Sequence, residues 1–268
     1  MNFLDLLDEI STEGLDKESK DQFLDRKQAL SKIGSFGKNL SLAALPLGFL
    51  ATMTKPAKAQ SSQNVIDVLN FALTAEYLEA EYYQTGLDSG VVQSNYQSLF
   101  EQINMHEQSH VAFLQETITS LGGTPVEKPT FDYTAGGMFT PFEDPAQFLA
   151  LSQAFEDTGV RAYKGQAGNL INSDAVLTAA LRIHSVEARH ASQVRRVRGL
   201  EGWIPFDNRG EGMPEATQPV YEGEANTVHC HCDVTTITDV SEEAVTESFD
   251  EPLTREEVLA ILSLFIAN

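Results

Sequence analysis

Cysteine is nearly absent: the chain of 268 residues holds two, Cys230 and Cys232, separated by one residue. A bond between them would close a very small, strained ring, so no disulfide framework is the scaffold here. Positive charge is scarce as well, with 18 Lys and Arg against 39 Asp and Glu and a formal net charge of −21. So acidic a chain is repelled by nucleic acid and by anionic lipid while it gathers cations near its surface, which makes a metal ion a more natural guest than DNA. Long apolar runs are lacking too. The run at residues 40–53, LSLAALPLGFLATM, has 14 residues, too few to span a bilayer. What remains is a chain with 42% apolar residues, long enough to bury a real core as one domain with appendages or as two.

The short apolar run is preceded by Arg26, Lys27, Lys32 and Lys38 and followed by AKA at 57–59. The order basic, apolar, small-x-small resembles an export signal cleaved after Ala59. DRKQALSKIG at 25–34 is similar to a twin-arginine signal with Lys27 in place of the second arginine. Residues 1–59 are thus expected to be an export leader read by export machinery, delivering the protein to the periplasm or the exterior. The leader has eight acidic and eight basic side chains, leaving all the imbalance, 31 acids against 10 bases, to the chain from Gln60.

Apolar residues recur at helical spacing from Asn64 to about Asp88, and TGLDSG then breaks the pattern. A second helix is expected from about Ser94 to Leu121, stopped by Gly122 and Gly123. Residues 122–144 carry three prolines and a glycine pair and show no period, so they read as a long loop. Asp144, Pro145 and Gln147 mark the start of a third helix as N-cap, N1 and N3, running to about Leu170. Asn172, Ser173 and Asp174 start a fourth, which ends at Arg198 before Gly199. Helices joined by short, long and short connections match an all-α four-helix bundle with one long crossover. A 25-residue helix is about 38 Å long and a 23-residue loop can reach roughly 75 Å, so the crossover can run the length of the bundle. Residues 201–268 form an irregular extension expected to pack on the bundle over 60–200. It ends in a short helix from Thr254 to Ile266 with a capping box at Thr254 and Glu257.

The chain also repeats itself. Glu107-x-x-His110 is echoed by Glu187-x-x-His190, while Glu76 is followed seven residues later by Tyr83, as Glu156 is by Tyr163. From Glu76 to Glu107 is 31 residues, as from Glu156 to Glu187, so the halves share one register offset by 80. Glu107 lies in line with Phe100, Ile103, His110 and Leu114, and Glu187 with Ala180, Ile183, His190 and Val194, on faces that should point inward. One buried glutamate is explained by a lysine or arginine partner. Four with two histidines and almost no core-facing base are not, because unpaired buried carboxylates cost several kcal/mol each. Four carboxylates and two neutral imidazoles balance two divalent ions, and the mix of oxygen and imidazole donors suits iron or manganese.

With E-x6-Y and E-x-x-H in each half, over roughly residues 62–200, the chain resembles the ferritin-like superfamily of di-metal carboxylate proteins. Its leader, crossover and tail are similar to those of a secreted branch that includes desiccation-related proteins. The resemblance implies a ferritin-like four-helix bundle in which Glu107 and Glu187 bridge two metals, Glu76 and Glu156 are terminal ligands, and His110 and His190 each cap one metal. Tyr83 and Tyr163 would orient the carboxylates. Glu79, one turn beyond Glu76, reads either as an extra or switching ligand or, more simply, as an exposed helix-face glutamate.

Two other motifs compete. His106, Glu107 and His110 satisfy the H-E-x-x-H pattern of zinc proteases, but VAFLQETITS beyond it supplies no third histidine, and the second half has Val186 where His106 stands. His106 therefore reads as incidental or as a support for the ligands. His229, Cys230, His231 and Cys232 could hold a soft metal or make an inter-chain disulfide, yet adjacent residues rarely wrap one ion, and an ordinary loop is the simpler reading. The expected function is an exported di-iron or di-manganese protein reacting with oxygen or peroxide, in the manner of a ferroxidase, peroxidase or catalase. The alternative is a metal-binding stress protein without turnover. Assembly into a homo-oligomer stays open; a storage shell would have to accommodate the 68-residue tail.

Overall fold

The computed structural model describes residues 59–267, with side chains from residue 63 onward. The leader expected over 1–59 lies outside the described residues except for Ala59. Four long helices make the bundle: α1, Ala59–Ser89; α2, Gln97–Ser120; α3, Pro145–Ala167; and α4, Asp174–Val197. Helix α1 packs chiefly on α2, and α3 on α4. None of the described helices is long and apolar enough to cross a membrane.

The helix ends follow from local chemistry. Pro145 fills N1 of α3, where its missing N–H is no loss, and Asp144 accepts from the Ala146 N–H. Gln147 does not close the box expected of it: its carbonyl accepts from Thr140 N and its amide donates to Asp144. Helix α2 ends in a Schellman turn, with Gly122 at φ 81°, Gly123 N donating to Ile118 O and Gly122 N to Thr119 O. Helix α4 ends the same way at Gly199, φ 79°. The third helix, expected to reach Leu170, gives way to a 3-10 turn over Gly168–Leu170.

The crossover between α2 and α3 has no regular structure, yet it is tied to the rest of the fold through backbone groups. Phe131 forms an antiparallel bridge with Ile266, and Asp132 N and Ala267 N donate to Phe265 O and Thr130 O. Tyr133 donates to Leu78 O on α1.

The chain beyond Leu200 lies against α3 and α4. Arg161 of α3, 1% exposed, donates to the carbonyls of Val220, Glu222 and Glu251 and pairs with Glu224 at 2.7 Å. Arg195 of α4 holds Asp157 through two hydrogen bonds, and Tyr221 donates to the same carboxylate. The expectation that core-facing bases are almost absent is therefore corrected. Two arginines are fully buried, because α3 is covered on its outer side by the tail and each guanidinium finds a carboxylate there.

Two further expectations are revised. The stretch around HCHC is a small antiparallel hairpin rather than a plain loop: β1, Val228–His229, pairs with β2, Cys232–Asp233. Cys230 (φ 51°) and His231 (φ 66°) form its two-residue turn, the left-handed geometry that suits tight hairpins. After the short helix α5, Glu242–Thr246, the last helix α6 covers Arg255–Ser263 and stops before Ile266, which is taken up by the bridge to Phe131. The Thr254 and Glu257 capping box is present in both directions.

Gly165 on α3 is where the tail comes closest. A Cβ there would stand 1.9 Å from the Leu253 carbonyl oxygen, which is backbone and cannot rotate away. Gly165→Ala should force residues 250–256 off α3 and lower stability by about 1–3 kcal/mol. Thermal unfolding together with limited proteolysis tests this; wild-type melting with an equally resistant tail would show that the close packing has no energetic weight.

Candidate metal centre

Each long helix brings its glutamate to one layer inside the bundle. Glu76, Glu107, Glu156 and Glu187 are all 0% exposed, with His110 and His190 buried beside them. Their ligand atoms fall into two groups, Glu76, Glu107, His110 and Glu187, and Glu107, Glu156, Glu187 and His190; within each group all lie within 4.8 Å of one another. Glu107 and Glu187 belong to both groups. Glu76 and His110 belong to one, Glu156 and His190 to the other.

The distances identify the kind of contact. His110 Nδ1 lies 3.2 Å from Glu76, 3.0 Å from Glu107 and 3.2 Å from Glu187 oxygens. One ring nitrogen carries at most one proton and cannot donate to three carboxylates. Atoms bonded at about 2.1 Å to one ion, at right angles, would be about 3 Å apart. His190 Nδ1 is 2.8 Å from Glu107 Oε1 and 3.3 Å from Glu156 Oε2, yet is aligned for a hydrogen bond with neither. Both oxygens of Glu187, Glu107 Oε1 and Glu156 Oε2 are likewise buried without a hydrogen-bond partner. Atoms that crowd together without bonding to each other are arranged around a shared third point. The residues therefore fit a pair of metal ions, one per group, which would share Glu107 and Glu187 as ligands.

Outer contacts fix the carboxylates across the two halves. Tyr83 of α1 donates to Glu156 of α3, and Tyr163 of α3 donates to Glu76 of α1, so each tyrosine from one half holds the outer glutamate of the other. Both phenols are pushed well above their usual pKa by burial and by the adjacent glutamate charge, so they remain donors. His106 Nδ1 sits 2.9 Å from His190 Nε2, with the rings within 12° of parallel. Burial and neighbouring histidines lower the His106 pKa, which favours the neutral ring that can accept from His190. That bond turns Nδ1 of His190 toward the carboxylates.

The electrostatics record the crowding. Burial pushes Glu107 up to about 7, opposed by the adjacent rings of His110 and His190 and reinforced by Glu76 and Glu156. Burial and the neighbouring carboxylates hold Glu187 well above the usual range. Against its own burial, His110 is raised by Glu76, Glu107 and Glu187, and His190 is raised to about 11 by Glu156, Glu107 and Glu187. Burial alone would raise Glu76 too, but the charge of His110 and several hydrogen bonds lower it. Every shift works toward a lower total negative charge or a nearer positive one, as crowded buried carboxylates require.

Glu79 corrects the simpler reading of it: it is 3% exposed, its carboxyl held well above the usual range by burial and then by Glu187, Glu156, Glu107 and Glu76. The space it needs is opposite, at Gly159, where a Cβ would stand 2.7 Å from Glu187 and 3.3 Å from Glu79. The signal was legible in the i, i+3 spacing from Glu76, which puts both on one face, and in the glycine at the matching repeat position. Contacts of His106 with a ligand on another helix left no such trace. The residues of the HCHC stretch do not converge: Cys230 is exposed, Cys232 half-buried, and His229 stacks on Phe249 at 3.6 Å. Among the described residues only the two glutamate–histidine groups could hold a metal.

A helical bundle carrying this paired carboxylate and histidine layer defines a class, and the comparisons place the chain in it. The ferritin-like domain matches residues 64–200, just over half of the chain, and the chain belongs to that family. Among solved structures it is similar to a ferritin-like, diiron-carboxylate protein from Bacillus anthracis str. Ames, at 23% identity over 52% of this chain and 98% of that one, with a TM-score of 0.44. No curated protein matches the chain.

Two substitutions probe the layer. Glu187→Gln replaces a carboxyl that is costly to bury among other carboxylates, so under chelator near neutral pH it should stabilise the protein by about 1–3 kcal/mol, while with metal it should destabilise. Calorimetric melts with and without chelator decide it; destabilisation in both would mean the charge is compensated by something other than metal. His106→Ala should weaken metal binding by about 10–100-fold through loss of the bond to His190. Competition titration against a chromophoric chelator measures this, and unchanged affinity would make His106 incidental.

Proposed function

We propose that the chain binds two iron or manganese ions between Glu76, Glu107, His110, Glu156, Glu187 and His190, and is an oxidoreductase acting on dioxygen or peroxide. The observation that carries this reading is the pair of overlapping ligand groups, in which both oxygens of Glu187, one each of Glu107 and Glu156, and Nδ1 of His190 are buried without hydrogen bonds. Two adjacent ions supply two electrons to an O–O bond. The chain's part is to hold the ligands, to exclude water by burial, and to let Tyr83 and Tyr163 keep the outer carboxylates oriented as charge changes between them. The order of basic, apolar and small residues in 26–59 supports export as the route to its place of action.

Elemental analysis of protein purified from its native source, beside a Glu107→Ala, Glu187→Ala double variant, tests the reading. About two iron or manganese ions per chain, lost in the variant, with peroxide consumption or Fe(II) oxidation above the metal-free control, is the expected result. Full metal loading without turnover would point instead to a metal-binding stress protein. A single zinc dependent on His110 would return the protease pattern, and no metal in the wild type would end the proposal.

A further inference from the structure

The 80-residue repeat that equates the ligands of the two halves breaks beside them. At the end of the bundle where α1 and α4 finish, Tyr82 stacks on Phe148 with ring centres 5.1 Å apart and meets Phe155 edge-on at 4.9 Å, and Phe100 meets Phe148 at 5.0 Å. The positions matching Tyr82, Phe100, Phe148 and Phe155 are Ala162, Ala180, Val68 and Ala75. All four line one enclosed cavity, beyond the ligand layer toward the end where α1 and α4 begin. One end is plugged by aromatic rings; the other has the room those rings would take.

The cavity has about 20 Å³ open to the centre of a water-sized molecule, and its wall is almost wholly apolar. That is enough for one small guest, since about 10–15 Å³ admits a water. Its ligand-side wall includes Glu79 and Gly159, and Glu187 lies directly behind that wall, since a Cβ on Gly159 would stand 2.7 Å from its carboxylate. One buried polar atom on the wall has no hydrogen-bond partner, the hydroxyl of Thr117, 1% exposed; the carboxyl of Glu79, 3% exposed, is a second polar group there, at the ligand side. Thr117 lies seven residues beyond His110, roughly 10 Å along α2, away from the ligand side where Glu79 stands, so polar partners are few at any one place in the cavity. Water needs two to four polar partners, and an apolar cavity without them stays dry and takes apolar guests such as xenon. Peroxide, with two O–H donors, is served no better than water.

We propose that this cavity binds molecular oxygen and delivers it past Gly159 to the Glu79 and Glu187 side of the ligand layer. The delivery rests on the di-metal reading above; the binding of an apolar gas does not.

Crystals of the full chain, metal-free and metal-loaded, would be pressurised with xenon, for the wild type and for Ala180→Phe, which restores the aromatic that the repeat has at Phe100. Xenon beside Ala180 and Ile183 in the wild type and none in the variant is the expected result. In iron-loaded protein, Ala180→Phe should raise the KM for dioxygen about tenfold, with metal content and the rate with hydrogen peroxide unchanged. Ala180→Leu replaces it if the larger side chain prevents folding. Ordered water in the cavity, no xenon in the wild type, or an unchanged KM for dioxygen in a variant that excludes xenon would each overturn the proposal. A wild type that takes xenon but holds no metal would sink the di-metal reading and leave the gas site standing.

Discussion

Mutual repulsion among buried carboxylates is the constraint on which the rest of this structure depends. Four glutamates at 0% exposure meet in one layer with Glu79 close behind them, and each uncompensated charge of this kind costs several kcal/mol. A domain has only about 5–15 kcal/mol of net stability to set against that. The chain's answer is geometric. Four helices of more than twenty residues each are anchored above and below the layer by apolar side chains, so the layer cannot open without unpacking the bundle. The neighbouring carboxylates raise the pKa of His110 and His190 against their own burial, which shows where positive charge is wanted.

The site is symmetric in its ligands and asymmetric in their support. Tyrosines cross between halves in matching pairs, but His106 backs His190 whereas its counterpart, Val186, can do nothing comparable for His110. Glu79 faces Gly159 rather than a second glutamate. Aromatic rings close one end, while alanines and a valine leave the other hollow. A duplicated half would give two equivalent metal positions; these substitutions make them inequivalent in charge, in hydrogen bonding and in access.

The buried arginines belong to a separate problem. Arg161 and Arg195 do not neutralise the central glutamates; they pair with Glu224 and Asp157 and gather the carbonyls of the tail. Helix α3 consequently has buried residues on all sides, with the ligand layer on one face and the extension on the other. A tail without long helices is held through backbone carbonyls, which an arginine fork is well suited to gather.

The helices, their breaks and the six glutamate and histidine positions could be read from the chain because they are written locally. A face of a helix repeats every three to four residues, glycines mark the ends, and two equal spacings of 31 expose the duplication. The boundaries moved by a few residues, as helix ends do when capping groups find partners in neighbouring loops. Glu79 left a partial trace, its spacing from Glu76, but the bond from His106 to His190, the two interior arginines, the hairpin at Cys230 and the cavity were settled only by tertiary structure. Each depends on which side chain stands opposite on another helix, and a one-dimensional pattern records the face a residue occupies, not the partner that face will meet.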